Sequence, residues 1–121
     1  MKIDFIADTN FLIYIHEGKK LIEPFLEYNF GISFISEVEL LGFNRIKKSE
    51  ETKLKLLIND CFVIEWNDKI KEQTIQLRRK YNLKLPDSII AFTSLVYGIP
   101  IVTADTGFSK IKELDLILIE I

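Results

Sequence analysis

Five short apolar segments alternate with helical patterns along the chain, and this alternation limits its possible folds more than any other feature. The predicted strands are residues 3–7, 31–35, 62–65, 101–103 and 116–119. The predicted helices are residues 10–16, 21–28, 36–46, 50–59, 68–81 and 86–97. Strands that alternate with helices favour a parallel sheet covered by helices on both faces. We therefore predict an α/β fold with a mainly parallel central sheet.

The segment PDSIIAFTSLVY, residues 86–97, predicts the most buried helix, because it is apolar almost throughout. Pro86 suits the first helical position, and Gly98 suits the C-terminal cap.

The size and the composition bound the possible chemistry. The chain has 121 residues, enough for a hydrophobic core, and we expect residues 1–121 to form one domain. Cys61 is the only cysteine and His16 the only histidine. An intrachain disulfide is therefore impossible, and zinc sites built on Cys or several His are disfavoured. We interpret His16 as a surface or packing residue.

Nothing in the sequence predicts secretion or a membrane span. Asp4 and Asp8 interrupt the N-terminal apolar run, which argues against a signal peptide. Every apolar stretch falls short of the roughly 20 residues that cross a bilayer. We therefore expect a cytoplasmic protein without a membrane partner. Lys and Arg number 16 and Asp and Glu number 18, so the net charge of −2 does not itself indicate nucleic-acid binding.

Four acidic residues map to one edge of the predicted sheet. Asp8 ends the first strand, Glu39 lies in the first turn of the helix after the second, Asp87 lies in the first turn of the apolar helix, and Asp105 follows the strand at 101–103. In a parallel α/β sheet the carboxyl ends of the strands and the N-termini of the helices share one edge, where ligands bind.

Each acid also has a local structural explanation. Asp8 suits an N-cap, and Ser36 and Glu39 fit a capping box. Asp87 would interact favourably with the helix dipole, and Asp105 stands in an Asp-Thr-Gly turn. Capping does not explain why four carboxylates converge beside apolar walls, where they repel one another. Their convergence favours a bound cation, and ligands that are all oxygen favour Mg²⁺ or Mn²⁺.

The same residues resemble the motifs of a known family. The motifs are Asp8-Thr9-Asn10, Glu39-Leu40-Leu41-Gly42, Asp87-Ser88-Ile89-Ile90-Ala91, and Thr103-Ala104-Asp105 followed by Phe108. Their types and order resemble the PIN domain, in particular the VapC-type ribonuclease toxins of toxin–antitoxin systems. The resemblance covers essentially the whole chain.

The resemblance implies a three-layer α/β/α sandwich and an endoribonuclease that depends on Mg²⁺ or Mn²⁺. It implies that the catalytic and metal-binding acids are Asp8, Glu39, Asp87 and Asp105, and that Asn10 and Thr103 are supporting polar residues. It also implies an RNA substrate, an antitoxin partner that blocks the site, and a homodimer. Many members carry a further acid where this chain has Gly107, which bears on a second metal ion rather than the first.

An RNA substrate requires positive surface near the acids. Two basic clusters are candidates: Arg45, Lys47 and Lys48; and Arg78, Arg79, Lys80 and Lys84. Four aromatic residues are candidates for base stacking: Phe11, Tyr14, Phe43 and Trp66. Solvated helix faces and core packing are the competing interpretations of these two sets.

Two other functions remain as alternatives. A receiver-like phosphoacceptor module has a similar fold, but it needs a central Asp and a late Lys. Here the strand at 62–65 is followed by Trp66, and the strand at 101–103 leads to Asp105. The other alternative is a catalytically inactive PIN-like binding scaffold, which retention of all four acids disfavours.

Overall fold

The computed structural model describes residues 2–120 and contains a sheet of five parallel strands. The strands are β1 (Phe5–Ala7), β2 (Phe30–Ser33), β3 (Phe62–Ile64), β4 (Ile101–Thr103) and β5 (Leu116–Leu118). The α-helices are α1 (Thr9–Glu17), α2 (Phe34–Leu41), α3 (Lys48–Asn59), α4 (Asp68–Tyr81) and α5 (Leu85–Tyr97). Two short 3₁₀ helices span Lys20–Phe25 and Thr106–Lys110.

The strand order β3-β2-β1-β4-β5 places β1 at the centre of the sheet. The chain moves from β1 outward to β2 and β3, and then returns to the other side of β1 to form β4 and β5. The topology therefore switches direction between β1 and β4. Ligands of open α/β sheets bind outside the carboxyl ends of the strands at such a switch point. In this chain Asp8 and Asp105 follow the two strands that flank it.

Two hydrophobic clusters form the layers above and below the sheet. Neighbouring residues of β1 point to opposite clusters: Ala7 packs with α1 and α3, whereas Ile6 packs with α4 and α5. In β4, Val102 belongs to the same cluster as Ala7, and Ile101 belongs to the same cluster as Ile6. This alternation follows from the two-residue period of a strand. The arrangement is a three-layer α/β/α sandwich, which confirms the predicted fold.

Helix α5 is the most buried helix, as its composition predicts, because residues 88–94 are all buried. It ends at Gly98, whose left-handed backbone (φ 65°) lets its N–H reach the carbonyl of Ser94. Among residues 2–120, none of the helices has both the length and the apolar character needed to span a bilayer.

The structure corrects the sequence prediction for α2. This helix begins at Phe34 and not after Ser36, and its N-cap is Ser33, whose hydroxyl accepts a hydrogen bond from the Ile35 N–H at 3.2 Å. It ends at Leu41 instead of near residue 46. The predicted capping box of Ser36 and Glu39 is therefore wrong. The segment predicted as a helix at 21–28 is instead the 3₁₀ helix Lys20–Phe25.

Candidate active site

Asp8 is both an N-cap and a buried acid at the carboxyl end of β1. Its side chain is only 4% exposed. One oxygen, Oδ1, accepts a hydrogen bond from the Phe11 N–H at 2.9 Å, which caps α1. The other, Oδ2, accepts a hydrogen bond from the Thr103 hydroxyl. The two interpretations of Asp8 offered by the sequence are therefore compatible, because each oxygen has its own partner.

Burial raises the pKa of Asp8 above its ordinary value. The hydrogen bonds from Thr103 and from the backbone of Phe11 act in the opposite direction, and the nearby charges of Asp105 and Asp87 raise the pKa further. The ionised form of Asp8 thus lacks compensating positive charge.

Thr103 links Asp8 to Asp105. The Thr103 hydroxyl donates to Asp8 Oδ2, and its oxygen accepts a hydrogen bond from the Asp105 N–H at 2.9 Å. Asp105 in turn caps the 3₁₀ helix Thr106–Lys110, because its Oδ1 accepts from the Gly107 N–H at 2.8 Å. Parallel strands β1 and β4 bring these groups together, since Ala7 pairs with Val102. The charge of Asp105 also acts on the other acids, because it raises the pKa of both Asp8 and Asp87.

Asp87 lies in the first turn of α5, where the sequence predicts it. Partial burial raises its pKa, and the charges of Asp105 and Glu39 raise it further. Lys84 and Lys110 act in the opposite direction. The charge of Asp87 in turn raises the pKa of Asp8. Asp87 is therefore electrostatically coupled to all three other acids.

Glu39 lies in the second turn of α2 and not in the first turn as predicted, because the helix begins at Phe34. Its Oε1 accepts a hydrogen bond from the Thr9 hydroxyl at 2.7 Å. The same hydroxyl lies 3.0 Å from the buried hydroxyl of Ser36. Sequence reasoning missed Thr9 as a positioning residue. The sequence feature that could have indicated this role is the motif Asp8-Thr9-Asn10, in which Thr9 is the polar residue directly after the first acid.

The cleft between α5 and the 3₁₀ helix Thr106–Lys110 contains charges of both signs. Its volume is about 290 Å³, and its lining includes the acids Asp87 and Asp105 and the cations Lys84 and Lys110. Asn10 lies apart from these contacts: it is exposed in the first turn of α1. His16 is half-buried and lines a separate groove together with Glu39 and Thr9.

The donor atoms fit a divalent cation, but the side chains do not enclose one. Among residues 2–120, no group of three or more His, Cys, Asp or Glu side chains is close enough to hold a metal ion. Hydrogen bonds from Phe11, Thr103 and Thr9 turn the carboxylates of Asp8 and Glu39 toward their own partners. All four candidate ligands nevertheless supply the oxygen atoms that Mg²⁺ and Mn²⁺ prefer. Burial, and to a smaller extent the neighbouring carboxylates, raises the pKa of Asp8 and Asp87, and a bound cation would favour the ionised form of both.

The fold and the cleft define a parallel α/β protein with coupled carboxylates at the switch point of its sheet. The PIN domain model matches residues 5–114. The chain belongs to the PIN domain family, which confirms the resemblance seen in the sequence and leaves the receiver-like alternative without support.

Several solved structures share this fold. A toxin–antitoxin complex from Klebsiella pneumoniae is 27% identical, covers 98% of this chain and 100% of that chain, and gives a TM-score of 0.83. VapBC2 from Rickettsia felis, bound to a DNA fragment from its promoter, is 20% identical over 98% and 100% of the two chains, with a TM-score of 0.86. DNA-bound VapBC from Salmonella typhimurium is 22% identical over 96% and 98%, with a TM-score of 0.82. At these lower identities the last two establish the fold alone. Comparison with curated protein sequences gives no significant match.

Proposed function

We propose that this protein is an endoribonuclease dependent on Mg²⁺ or Mn²⁺ and the toxin of a VapC-type toxin–antitoxin pair. The observation that carries the proposal is the electrostatic coupling of Asp8, Glu39, Asp87 and Asp105 at the switch point of a PIN domain. The Klebsiella pneumoniae neighbour, a toxin–antitoxin complex, supports the toxin assignment. We expect residues 1–121 to act as one domain in the cytoplasm, where RNA substrates are present.

The four carboxylates would supply the oxygen ligands of the metal ion, and its binding would require them to move closer together, because no three of them are close enough to hold an ion in the structure. When bound, such an ion supplies Lewis-acid chemistry: it favours deprotonation of water near neutral pH and offsets the charge that develops on the phosphate. The supporting polar residues assigned from the sequence are Thr103 and Asn10. Thr103 has the clearer role, because its hydroxyl holds one oxygen of Asp8 in place.

Hydrogen bonds made by the chain itself orient the acids before any ligand arrives. The Phe11 N–H and the Thr103 hydroxyl fix both oxygens of Asp8. The Thr9 hydroxyl holds Glu39 on the neighbouring helix. Positioning groups of this kind reduce the reorganisation that a reaction requires.

We propose that two lysines bind the substrate. Lys84 and Lys110 line the cleft together with Asp87 and Asp105, and both act electrostatically on Asp87. In a ribonuclease they would contact phosphate groups on either side of the bond that is cleaved. Their positive charge would also reduce the repulsion between the acids and an incoming polyanion.

The test is cleavage of a fluorescently labelled single-stranded RNA in Mg²⁺ or Mn²⁺. We expect cleavage with the metal ion and loss of cleavage in EDTA. Asp87→Asn and Asp105→Asn should each reduce the rate at least a hundredfold, about 2.7 kcal/mol of lost transition-state stabilisation. The matched control is Asp115→Asn, because Asp115 is exposed and lies at the amino end of β5, on the opposite edge of the sheet.

The outcomes separate the candidate functions. Full activity in rigorously metal-free protein would contradict the metal dependence. Failure to cleave any RNA with any divalent metal would instead favour the inactive binding scaffold. A loss of activity in Asp115→Asn equal to that of Asp87→Asn would contradict the assignment of this cleft as the active site.

The toxin assignment requires an antitoxin. We propose a partner that inserts an Arg or Lys side chain into the acidic cleft, because a guanidinium group matches carboxylates in geometry and charge. Co-expression with the product of an adjacent small reading frame should yield a complex without nuclease activity. Asp87→Asn should weaken this complex, whereas Asp115→Asn should not. Free nuclease activity in the presence of excess partner would contradict the proposal.

We also propose a homodimer, on the basis of the family resemblance. Light scattering coupled to size-exclusion chromatography should give twice the mass of the 14.1 kDa chain. A monomer mass at high protein concentration would contradict this part of the proposal and leave the nuclease assignment intact.

A further inference from the structure

A groove beside α4 combines positive charge with an exposed aromatic ring. We call it the α4 groove; its volume is about 420 Å³, and its lining includes Trp66, Lys71, Thr74, Arg78, Arg79 and Leu85. Three of its side chains are cationic, and none of its lining residues is acidic. Lys71 makes one exposed ion pair, 3.8 Å from Asp68, and such pairs contribute little in water. The groove is therefore suited to an anionic ligand.

A hydrogen bond to the backbone holds the side chain of Arg78 in the groove. Its Nε donates a hydrogen bond to the carbonyl of Leu83 at 3.2 Å, which leaves the terminal nitrogens of the guanidinium group for a ligand. Arg79 makes no side-chain hydrogen bond or ion pair with the residues that the structure describes. Phosphate groups are common partners of guanidinium groups because the two match in charge and geometry.

Trp66 provides an aromatic surface at the same groove. Trp66 is 41% exposed, and an edge-to-face contact between its ring and that of Phe34 (5.6 Å between centroids, 83° between planes) holds it in place. A fixed and exposed ring can stack against a nucleobase with little loss of side-chain entropy.

Thr74 is an independent sign that the groove lacks a partner. It lines the groove and is only 3% exposed. Among residues 2–120, its hydroxyl is the one buried side-chain polar atom without a hydrogen-bond partner. Buried polar groups are satisfied in most folded proteins, so an unsatisfied hydroxyl at a groove requires an explanation.

The α4 groove is adjacent to the cleft between α5 and the 3₁₀ helix Thr106–Lys110. Asn82 and Leu83 line both, and the cleft beyond them contains Asp87 and Asp105. A single strand bound in the cleft would therefore need to cross only Asn82 and Leu83 to reach the groove.

We propose that the α4 groove binds the single-stranded RNA next to the bond that is cleaved, an inference that rests on the proposed ribonuclease function. A base stacks on Trp66, the phosphates contact Arg78 and Arg79, and Thr74 gains a hydrogen-bond partner from the nucleotide. A second copy of the chain fits less well, because a two-fold interface centred on the groove would bring its cations close to the same cations of the other copy.

The test is fluorescence anisotropy of a short labelled single-stranded RNA with protein carrying Asp105→Asn, in Mg²⁺, so that binding is measured without cleavage. Adding Trp66→Ala should weaken binding roughly tenfold and leave its salt dependence unchanged. Adding Arg79→Gln should lower the slope of log affinity against log salt by about 0.7, the value for one phosphate contact on a single strand. Thr74→Val, which removes the hydroxyl and keeps the shape, should also weaken binding.

The matched controls are Leu56→Ala and Lys53→Gln, exposed residues of α3 that do not line the groove. They should leave affinity and salt dependence unchanged. Groove variants that bind RNA as tightly as the parent protein would overturn this inference but not the ribonuclease function. A parent protein that neither binds nor cleaves RNA would overturn both. Groove variants that lose dimer mass in light scattering while RNA affinity is unchanged would assign the groove to a second copy instead.

Discussion

Replacing Asp8 by Asn and by Ala separates its role as a cap from its role as a charge. Asn retains an oxygen that can accept from the Phe11 N–H, and Asn and Asp are equally good N-caps. Its amide nitrogen can also donate to the Thr103 hydroxyl oxygen, although the Thr103 proton then loses its acceptor. Ala removes both contacts. Asn therefore changes mainly the charge, whereas Ala changes the charge and the hydrogen bonds.

The difference between the two variants follows from these contacts. Loss of an N-cap costs about 1 kcal/mol, and loss of a hydrogen bond to Thr103 costs about another 1 kcal/mol. We expect Asp8→Ala to be less stable than Asp8→Asn by about 2 kcal/mol. At roughly 4 °C per kcal/mol for a chain of this length, this corresponds to about 8 °C in Tm.

The charge itself should destabilise the metal-free protein near neutral pH. The pKa of Asp8 is raised above 3.8 in the folded protein, chiefly by burial, so the folded state binds more protons than the unfolded chain between these two values. Stability therefore falls as the pH rises through that interval, and the loss is complete above the folded pKa. Asp8→Asn should be at least as stable as the wild type at pH 7, and this advantage should vanish below about pH 3.8, the ordinary pKa of the side chain.

The assay is urea denaturation of the wild type, Asp8→Asn and Asp8→Ala across this pH range in EDTA, repeated at pH 7 with Mn²⁺. Binding of Mn²⁺ only to the folded wild type should add about 2.7 kcal/mol at a hundredfold excess over its Kd. Both variants should lose most of this increment, and Asp115→Asn should retain it.

Two results would refute the reasoning. One is an Asp8→Asn protein less stable than the wild type at pH 7 in EDTA, because Asp8 would then not carry an uncompensated charge. The other is a full Mn²⁺ increment in both variants, because Asp8 would then be a cap and not a metal ligand.

Three further predictions concern other parts of the structure. In Gly107→Ala the new Cβ would lie 3.0 Å from Asp105 Oδ1, so we expect severalfold weaker Mn²⁺ binding by calorimetry, and unchanged affinity would contradict the argument. In Gly31→Ala the Cβ would lie within 3.0–3.2 Å of three isoleucine side chains; we expect about 1–3 kcal/mol lower stability in urea, and an unchanged midpoint would count against it. Burial raises the pKa of Cys61 to about 11, so iodoacetamide should alkylate the folded protein more slowly than the urea-unfolded chain at pH 8. Equal rates would contradict the shift.

The sequence predicted elements best where apolar periodicity and caps agree. Helix α4 has the predicted bounds, Asp68–Tyr81, because its apolar face is periodic and Asn67 caps its start. The junction of β2 and α2 was misplaced because residues 31–35 are apolar except for Ser33, and such a run has no distinguishing period. Ser33 and Ser36 are both plausible caps by local rules. In the fold Ser33 caps the helix, whereas Ser36 lies inside the helix and its hydroxyl makes a hydrogen bond with the Thr9 hydroxyl.

The positions of the acids along the chain were predictable, whereas their partners were not. Strand ends and helix starts meet at one edge of a parallel sheet, which is enough to bring Asp8, Asp87 and Asp105 together. The hydrogen bond from Thr9 to Glu39 joins residues 30 apart in sequence, and that from Thr103 to Asp8 joins residues 95 apart. Local patterns contain no information on such contacts, which depend on strand order and register.

Local patterns also fail to predict how charge is distributed over the surface, and a chain with a net charge of −2 presents locally positive surface. In the sequence, residues 78–84 form one basic cluster. In the structure, Lys80 pairs with Glu113 at 3.2 Å, Arg78 and Arg79 line the α4 groove, and Lys84 lines the acidic cleft. The turn between α4 and α5 distributes these charges, because Asn82 adopts a left-handed conformation (φ 51°) that ends α4 and redirects the chain. A polyanion approaching the cleft therefore meets cations beside the carboxylates, and it is this local field rather than the net charge that governs binding.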